Sequence, residues 1–451
     1  MERREKRVLL CLAHMSGNEM KYIQEAFDTN WVVPLGPNVN AFEDCLRRFV
    51  TSEAETDYLA PEAYPASIKP HEDNPDVIWT KTNPSLDQKQ VVALASGTSA
   101  VHLALIALGV GAGDEVICQS FTFCASSHPV VYQGATPVFV DSERDTWNMD
   151  PELLEEAICD RVKKTGRKPK AIIVVYLYGM PAKIDEVKAV ADKYDIPLIE
   201  DAAEGLGSRY RGQVCGTFGQ YGVLSFNGNK MITTSGGGAL VCPDAEAQRQ
   251  VMFYATQARE SYPYYQHEHI GYNYRLSNVC AGIGRGQLTV LREHVAHHRH
   301  IARLYAEAFS KVEGITFHDN PSEESDSNFW LCTILLSPEL RVKGQEHAYD
   351  DMVQGAVGGA AGVVHAAKTI HTAVEPNANV EAMRLYLDSA NIESRPLWKP
   401  MHCQPVYADA PSYTNGVSEE LFHQGLCLPS GPLVSDDDVQ FIVERIKEAI
   451  V

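Results

Sequence analysis

The run Ala171-Ile-Ile-Val-Val-Tyr-Leu177 decides the fold of this chain, because it is an uninterrupted apolar segment of strand length. It is followed by Ile184–Tyr194, whose apolar residues have the spacing of an amphipathic helix, and by a second apolar run at Ile196–Ile199. A buried strand, a helix and another strand form a βαβ unit with parallel strands. The second strand ends at Glu200-Asp201, so we expect a carboxylate at the carboxyl edge of the sheet.

Strand and helix signals alternate on both sides of this unit, from about residue 90 to residue 245. The other predicted segments are a helix at Ser99–Leu108, strands at Glu115–Gln119 and Thr136–Asp141, a helix at Asp150–Ile158, and apolar runs at Tyr221–Phe226 and Gly238–Val241. Such alternation is typical of an α/β fold with a parallel sheet. Beyond it, a tyrosine-rich stretch at 262–274 and long helical runs around 281–304 predict a smaller α+β domain.

A chain of 451 residues exceeds the size at which one hydrophobic core stops growing, so we expect two domains. We place an N-terminal segment at 1–30, a large α/β domain at 31–260 and a smaller domain at 261–451. Two segments lack a motif and are interpreted as insertions. They are 51–82, which is rich in Glu, Pro and Asp, and about 354–377, which is rich in Gly and Ala.

The chain is acidic, with 39 basic and 59 acidic residues and a net charge of −20. Because phosphate-backbone binders usually have a basic face, we expect no nucleic-acid partner. The 11 cysteines show no C-x-x-C or Cys/His spacing, so we interpret them as reduced thiols and expect no metal site. The apolar run near the N-terminus is too short for a secretion signal, and no apolar segment is long enough for a membrane span. We therefore expect a cytoplasmic protein.

Lys230 lies in a polar, glycine-rich stretch between the apolar runs Tyr221–Phe226 and Gly238–Val241. Partial removal from water favours the uncharged, nucleophilic form of an amine. Lysines of this kind form Schiff bases with carbonyl compounds, pyridoxal phosphate among them. The alternative is an ordinary lysine on the surface.

Four other positions have side chains or backbone suited to the same cofactor. Ser96-Gly97-Thr98-Ser99 precedes a predicted helix, where it forms either a phosphate site or an ordinary N-cap. Phe123 follows a predicted strand and is either a stacking surface or a core aromatic. Asp201 would meet a protonated pyridine nitrogen, or else it is a cap or part of a buried salt bridge. Ser225 either donates to a phosphate or fills a strand position.

Four blocks of sequence occur in an order that is specific to one family: Glu200-Asp-Ala-Ala-Glu204, Ser225-Phe-Asn-Gly-Asn-Lys230, Gly271-Tyr-Asn-Tyr-Arg-Leu-Ser-Asn278 and Ser394-Arg-Pro-Leu-Trp-Lys-Pro-Met-His402. On these blocks the chain resembles the sugar-nucleotide aminotransferases of the DegT/DnrJ type. That family adopts the type I (aspartate aminotransferase) fold, with a mixed, mostly parallel sheet, helices on both faces and a smaller α+β C-terminal domain. The resemblance extends from His14 to Gly431.

The resemblance implies that Lys230 binds pyridoxal phosphate as a Schiff base and later moves the reacting proton. It also implies that Asp201 pairs with the pyridinium nitrogen, that Phe123 stacks on the ring and that Glu204 lies near the ring hydroxyl. Asn273 looks like the residue that reaches the phosphate from a neighbouring subunit, which implies a homodimer with shared active sites. The residues implied to hold the phosphate within the chain are Gly97, Thr98 and Ser225.

Sugar recognition in this family involves two segments of the chain. Their candidate residues are Asn30, Trp31, Val32 and Val33 in the first and Arg395, Trp398, Lys399 and His402 in the second. The cations of the second segment suit a nucleotide diphosphate, and the two tryptophans offer flat surfaces. The alternative for each residue is a packing or surface role.

The resemblance implies a transamination in two halves, in which L-glutamate gives its nitrogen to a keto-sugar nucleotide. The blocks at 226–238 and 256–260 are most similar to the bacillosamine-pathway enzymes, which aminate C4 of a UDP-linked 4-keto-6-deoxy-N-acetylglucosamine. GDP-perosamine synthases share much of the pattern, so GDP-4-keto-6-deoxymannose is the alternative substrate.

Three other classes of protein are disfavoured. A related sugar dehydratase would have histidine in place of Lys230. A non-catalytic cofactor-binding regulator would be expected to have a basic or helix-turn-helix segment. A nicotinamide-dependent oxidoreductase would have G-x-G-x-x-G after the first strand, and the chain lacks that motif.

Overall fold

The computed structural model of the protein describes residues 3–52, 83–349 and 374–451. The insertions predicted at 51–82 and about 354–377 lie almost entirely outside these ranges, so both stay predictions. Within the described ranges, no helix combines the length and the apolar character needed to cross a bilayer.

An eight-stranded sheet forms the centre of the larger part of the structure. In spatial order its strands are β1 (Gln90–Leu94), β9 (Gly238–Cys242), β8 (Tyr221–Ser225), β5 (Leu198–Asp201), β4 (Ala171–Val175), β2 (Glu115–Gln119), β3 (Thr136–Val140) and β14 (Ser412–Tyr413). The pairs from β8 to β14 are parallel, whereas β9 is antiparallel to both β1 and β8. The predicted mixed, mostly parallel sheet is therefore confirmed.

Helices cover both faces of this sheet, because its strands are apolar on both sides. In β4, Ile172 and Val174 belong to one apolar cluster and Ile173 belongs to another. The helices that contribute to the first cluster are α2 (Pro37–Val50), α5 (Pro151–Thr165), α6 (Ile184–Lys193) and α8 (Asn278–Leu288). Those that contribute to the second are α3 (Gly97–Ala107), α4 (His128–Tyr132) and α7 (Ala245–Ala255). All five residues of β4 are buried, as expected for a strand between two helical layers.

A smaller, separate antiparallel sheet is formed by strands from the C-terminal part of the chain. Its strands, in spatial order, are β10 (Ile315–Phe317), β12 (Cys332–Leu336), β15 (Gly425–Leu428) and β13 (Arg395–Pro396). Apolar residues of this sheet pack against α9 (Leu291–Phe309), α10 (Ala378–Ser389) and α12 (Asp436–Ala449). The remaining elements are α1 (Glu19–Asp28), α11 (Val417–Gln424) and a three-stranded sheet of β11 (Ser325–Asp326), β6 (Arg209–Tyr210) and β7 (Gln213–Val214).

The long helical runs predicted around 281–304 are two helices, α8 and α9. They are separate because α8 ends at Leu288 and Thr289 turns its hydroxyl back onto the Gly286 carbonyl at 2.6 Å. The N-terminal part of the chain also meets later segments: α1 packs on α8, and Val8 bridges to Ile392. The domain boundaries at residues 30 and 260 stay predictions.

Candidate active site

A cavity of about 440 Å³ lies at the carboxyl edge of the parallel strands. Its wall includes the last residues of three strands, Val175 of β4, Asp201 of β5 and Ser225 of β8, together with Gly97 and Thr98 at the start of α3. Open α/β sheets bind their ligands at this edge. A larger cleft of about 660 Å³ lies near the opposite strand ends, where Lys168 and Lys188 contact Asp195 and Asp192 at 2.7 and 2.6 Å.

Lys230 reaches this cavity from the turn that follows β8. Its side chain is 14% exposed, and Nζ lies 3.3 Å from Oε1 of Glu204. The same nitrogen lies 3.9 Å from the centre of the Trp330 ring, a distance typical of a cation–π contact. The predicted enclosure of Lys230 is therefore found, with a carboxylate and an indole as its neighbours.

Asp201 is 4% exposed and is held by two donors. Oδ2 accepts a hydrogen bond from Ser126 Oγ at 2.7 Å, and Oδ1 accepts one from the Ala203 backbone N–H at 3.1 Å. Burial raises the pKa of Asp201, while the two hydrogen bonds and the charge of Lys230 oppose that rise. A carboxylate in this setting is favoured by a cationic ligand, and a pyridinium nitrogen is such a cation.

The start of α3 is crowded by neighbouring backbone. The Ser96 hydroxyl caps the helix by accepting from the Ser99 N–H at 3.0 Å, as the N-cap alternative predicted. A Cβ atom placed on Gly97 would lie 3.1 Å from Cβ of Ser225, and one placed on Gly238 would lie 2.4 Å from the Gly97 nitrogen. Backbone N–H groups at a helix start bind phosphate, and Gly97 and Thr98 at the start of α3 border the cavity.

Phe123 is 54% exposed and lines the cavity, so it is not the core aromatic that the alternative interpretation expected. Its ring centre lies 6.0 Å from that of Trp398, which lines the same cavity. The Trp398 backbone N–H donates to the Tyr178 hydroxyl at 2.8 Å. A half-exposed phenyl ring at a cavity wall is suited to stacking on a flat ligand.

Glu204 completes the polar side of the cavity. It is 5% exposed, and Oε2 accepts a hydrogen bond from the Tyr178 N–H at 2.7 Å. Burial raises its pKa, and the charge of Lys230 acts in the opposite direction. The predicted cofactor residues Gly97, Thr98, Phe123, Asp201, Glu204, Ser225 and Lys230 thus line one cavity.

The structure fits pyridoxal phosphate at this place. The helix start suits a phosphate, the Phe123 ring suits the pyridine face, and the buried Asp201 suits a ring nitrogen that bears a proton. The amine of Lys230 lies in the same cavity and is available for the aldehyde.

Ser126 and Trp330 are among the cavity residues that the sequence analysis did not identify. Ser126 contacts a residue 75 positions away along the chain. The Trp330 indole N–H donates to the Asn229 carbonyl at 2.7 Å, across 101 positions. No local pattern indicates either contact, because each joins residues that are far apart along the chain.

The predicted sugar-binding residues are not all at this cavity. Trp398 lines it, and Lys399 lines an adjoining chamber of about 380 Å³ that shares Phe123 and Trp398 with it. Arg395 forms an ion pair with Glu393 at 2.9 Å. The four residues Asn30, Trp31, Val32 and Val33 are exposed and do not border the cavity of their own chain.

His402 and Asn273 also lie outside the cavity wall. The His402 ring is 10% exposed and lies between Ser120 Oγ at 2.6 Å and Glu419 Oε1 at 3.2 Å. Asn273 is exposed and its backbone bridges to Thr256. Asn273 therefore does not border the cavity of its own chain.

Comparison with known proteins shows the family of the chain. Residues 83–357 and 354–447 match the model of the DegT/DnrJ/EryC1/StrS aminotransferase family. The Bacillus subtilis protein EpsN is named as a pyridoxal phosphate-dependent aminotransferase. It is 41% identical to this chain over 443 residues, which cover 97% of this chain and 95% of EpsN. A GDP-perosamine synthase of Escherichia coli O157:H7 is 30% identical over 434 residues, 96% of each chain. The crystal structure of a DegT DnrJ EryC1 StrS aminotransferase from Brucella abortus superposes with a TM-score of 0.75 at 26% identity, over 96% of this chain and 95% of that one.

Proposed function

The chain belongs to the DegT/DnrJ/EryC1/StrS aminotransferase family, and we propose that it moves an amino group from L-glutamate to C4 of a nucleotide-linked 4-keto-6-deoxy sugar. It is a pyridoxal phosphate-dependent sugar aminotransferase. The observation on which the proposal depends is that Lys230, the buried Asp201 and the start of α3 border one cavity. This arrangement supplies an amine, an anion and a phosphate site to one ligand.

Lys230 has two tasks in the proposed reaction. When bound, pyridoxal phosphate supplies an aldehyde that condenses with amines and a ring that withdraws electrons from the reacting carbon. Nζ of Lys230 holds the cofactor between reactions. It then takes the proton from Cα of the amino donor and returns a proton in the half-reaction with the keto sugar. Glu204 and Trp330 keep this nitrogen at the cavity wall while it is free, at 3.3 and 3.9 Å.

Asp201 and the helix start orient the cofactor. Asp201 would hold a proton at the ring nitrogen, which would make the ring a stronger electron sink. The N–H groups of Gly97 and Thr98 and the hydroxyl of Ser225 would hold the phosphate, and Phe123 would stack on the ring. The cavity wall would thereby orient the amino donor relative to Nζ of Lys230.

We propose UDP-2-acetamido-2,6-dideoxy-4-keto-hexose as the amino acceptor. The proposal is supported by the form of the blocks at 226–238 and 256–260. Trp398 at the cavity wall and Lys399 in the adjoining chamber provide a flat surface and a cation for the nucleotide part. A GDP-linked 4-keto-6-deoxymannose is the second candidate, because the E. coli relative has the name GDP-perosamine synthase.

We also propose that the protein acts as a homodimer with shared active sites. The support is the position of Asn273, which is exposed and outside the cavity of its own chain. A second subunit would bring Asn273 to the phosphate and would also cover the exposed Trp31 and Tyr265, which are 40% and 78% exposed.

Borohydride reduction tests the role of Lys230. The reagent should fix the cofactor to the peptide that contains Lys230, as measured by mass spectrometry, and Lys230→Ala should abolish the labelling and lower the transamination rate by at least about 10³-fold. Lys183→Ala is the matched control, because Lys183 ion-pairs with Asp145 at 2.7 Å outside the cavity. A Lys230→Ala enzyme with the wild-type rate would contradict the proposal.

The acceptor is identified by a mass-spectrometric screen of UDP-, GDP- and dTDP-linked 4-keto sugars with glutamate as donor. The UDP-linked N-acetylated sugar should give the largest kcat/KM. A clear preference for the GDP-linked sugar would replace the first candidate by the second.

A further inference from the structure

A chain of two hydrogen bonds begins at the Thr122 hydroxyl, passes through the Ser126 hydroxyl and ends at the Asp201 carboxylate. Thr122 Oγ1 lies 3.0 Å from Ser126 Oγ, and Ser126 Oγ donates to Oδ2 of Asp201 at 2.7 Å. Thr122 and Ser126 are each 1% exposed. All three residues border the cavity, and Phe123, on which the ring is proposed to stack, lies between the two hydroxyl residues in sequence.

The direction of these hydrogen bonds follows from the groups involved. An ionised carboxylate only accepts hydrogen bonds, so the single hydroxyl proton of Ser126 is directed at Asp201. The bond between Ser126 and Thr122 must then use the proton of Thr122. Each hydroxyl polarises the next one, which strengthens the donor that acts on the carboxylate.

The two donors on Asp201 leave room for a ligand. A carboxylate has about four lone-pair sites, and Ser126 and the Ala203 N–H occupy one site on each oxygen. Among the residues that the structure describes, no further donor meets Asp201, so a free site remains on each oxygen and the carboxyl plane is fixed by donors at both ends.

We propose that Ser126, supported by Thr122, is a positioning residue that orients Asp201 toward the ring nitrogen of the cofactor and keeps the carboxylate ionised. This inference rests on the proposed role of Asp201. Ser126 acts on the cofactor only through Asp201, so its loss should change the protonation of the ring nitrogen rather than the binding of the sugar nucleotide.

Two charged groups near Asp201, Lys230 and Glu204, also influence its ionisation. The charge of Lys230 favours the ionised form of Asp201, and Asp201 in turn disfavours the ionised form of Glu204. Removal of the Ser126 hydroxyl leaves these neighbours unchanged. It removes one donor to a buried carboxylate, which then competes more strongly for the proton on the ring nitrogen.

The test is nitrogen NMR of the holoenzyme reconstituted with pyridoxal phosphate labelled with nitrogen-15 in the ring. Ser126→Ala should lower the ratio of protonated to unprotonated ring nitrogen at neutral pH by about tenfold. It should lower kcat while leaving KM for the sugar nucleotide near the wild-type value. Ser126→Thr, which restores a hydroxyl, should return the ratio to near wild type.

Two control variants separate this inference from its premise. Ser127→Ala should leave the ratio unchanged, because the buried Ser127 hydroxyl contacts the Cys124 carbonyl at 3.3 Å and not Asp201. Asp201→Asn should lower the ratio more than Ser126→Ala does. If Asp201→Asn changes the ratio and Ser126→Ala does not, the inference about Ser126 is wrong and the role of Asp201 stands. If neither variant changes it, the proposed role of Asp201 is wrong.

Thr122→Val gives a second route if Ser126→Ala does not fold. Valine keeps the shape of threonine and removes the proton that Ser126 accepts, so the ratio should fall in the same direction by a smaller factor. A folded Thr122→Val enzyme with the wild-type ratio would then overturn the inference.

Discussion

At the residue scale, Lys230 and Asp201 are both enclosed, but their partners differ. Lys230 contacts a carboxylate and an indole, which offset the cost of removing an ammonium group from water. The hydrogen-bond donors on Asp201, Ser126 and Ala203, are both uncharged. Part of the cost of burying Asp201 therefore remains in the cofactor-free protein, and a bound cation would recover it.

The stability of Asp201→Asn relative to wild type should increase as the pH of the cofactor-free protein rises above the ordinary pKa of an aspartate, about 4. Burial raises the pKa of Asp201 in the folded state. The folded protein therefore keeps this proton at pH values at which the unfolded chain has released it, and stability falls as pH rises between the two pKa values. Asparagine does not titrate and resembles the protonated acid, so the two proteins should converge at acid pH.

Urea unfolding at several pH values measures this difference. At pH 7, saturating pyridoxal phosphate should make the wild type more stable than Asp201→Asn, because the cofactor binds the folded wild type more tightly than the folded variant. An Asn variant whose stability relative to wild type does not change with pH would show that burial does not shift the titration of Asp201.

At the scale of elements, the site depends on the close approach of β9 to the start of α3. A Cβ atom on Gly238 would lie 2.4 Å from the Gly97 nitrogen and 2.7 Å from the Leu224 carbonyl oxygen. Both contacts are with backbone, which cannot move as a flexible side chain can. The close approach of β9 to the start of α3, where the phosphate is proposed to bind, therefore requires glycine at position 238.

Gly238→Ala should destabilise the fold by about 1–3 kcal/mol and weaken cofactor binding at the same time. The added methyl group forces β9 away from α3 and displaces the N–H groups of Gly97 and Thr98. Chemical denaturation and a cofactor titration measure the two effects. Gly228→Ala is the control, because a Cβ there meets nothing within 4 Å. A Gly238→Ala protein that binds the cofactor with wild-type affinity would contradict the argument.

Elements with a strong local pattern were predicted within a few residues. The strand expected at 171–177 and the helix expected at 184–194 are observed at Ala171–Val175 and Ile184–Lys193. The strand expected at 196–199, with its end at Glu200-Asp201, is observed at Leu198–Asp201, so Asp201 is the last residue of the strand as predicted. The long helical runs expected around 281–304 are α8 and α9. The position of the break between them, at Thr289 and Val290, was not predicted, because apolar spacing continues across it.

At the scale of the whole molecule, the cavity is incomplete within one chain if Asn273 reaches the phosphate. Its position outside the wall and its exposure are consistent with a contact across a subunit boundary. Shared active sites have a consequence that a single-chain site lacks, since two different defects can complement each other in a mixed dimer.

A hybrid dimer of one Lys230→Ala subunit and one Asn273→Asp subunit should regain about half of the wild-type activity. One of its two sites receives Lys230 and Asn273 intact, whereas each parent dimer has the same defect at both sites. The Asn273→Asp homodimer should have low activity, because aspartate at position 273 would place a negative charge at the phosphate. The measurement is the activity of hybrids isolated with two different affinity tags.

A hybrid of Lys230→Ala and Asp201→Asn subunits is the matched control. Lys230 and Asp201 line the cavity of the same chain, so this pair should show no recovery. Activity of the first hybrid no higher than the mean of its parents would place Asn273 in its own subunit or away from the cofactor.

The sequence by itself determined the βαβ core and the position of Lys230 between two strands. It also determined the residue types of the cofactor site, because apolar spacing and polar turns are local properties of the chain. Only the tertiary structure decided that Phe123 is exposed to the cavity, that Trp330 lies on Lys230 and that Ser126 holds Asp201. These contacts join segments that are far apart in sequence. They arise from the way helices and strands pack, which no short stretch of residues specifies.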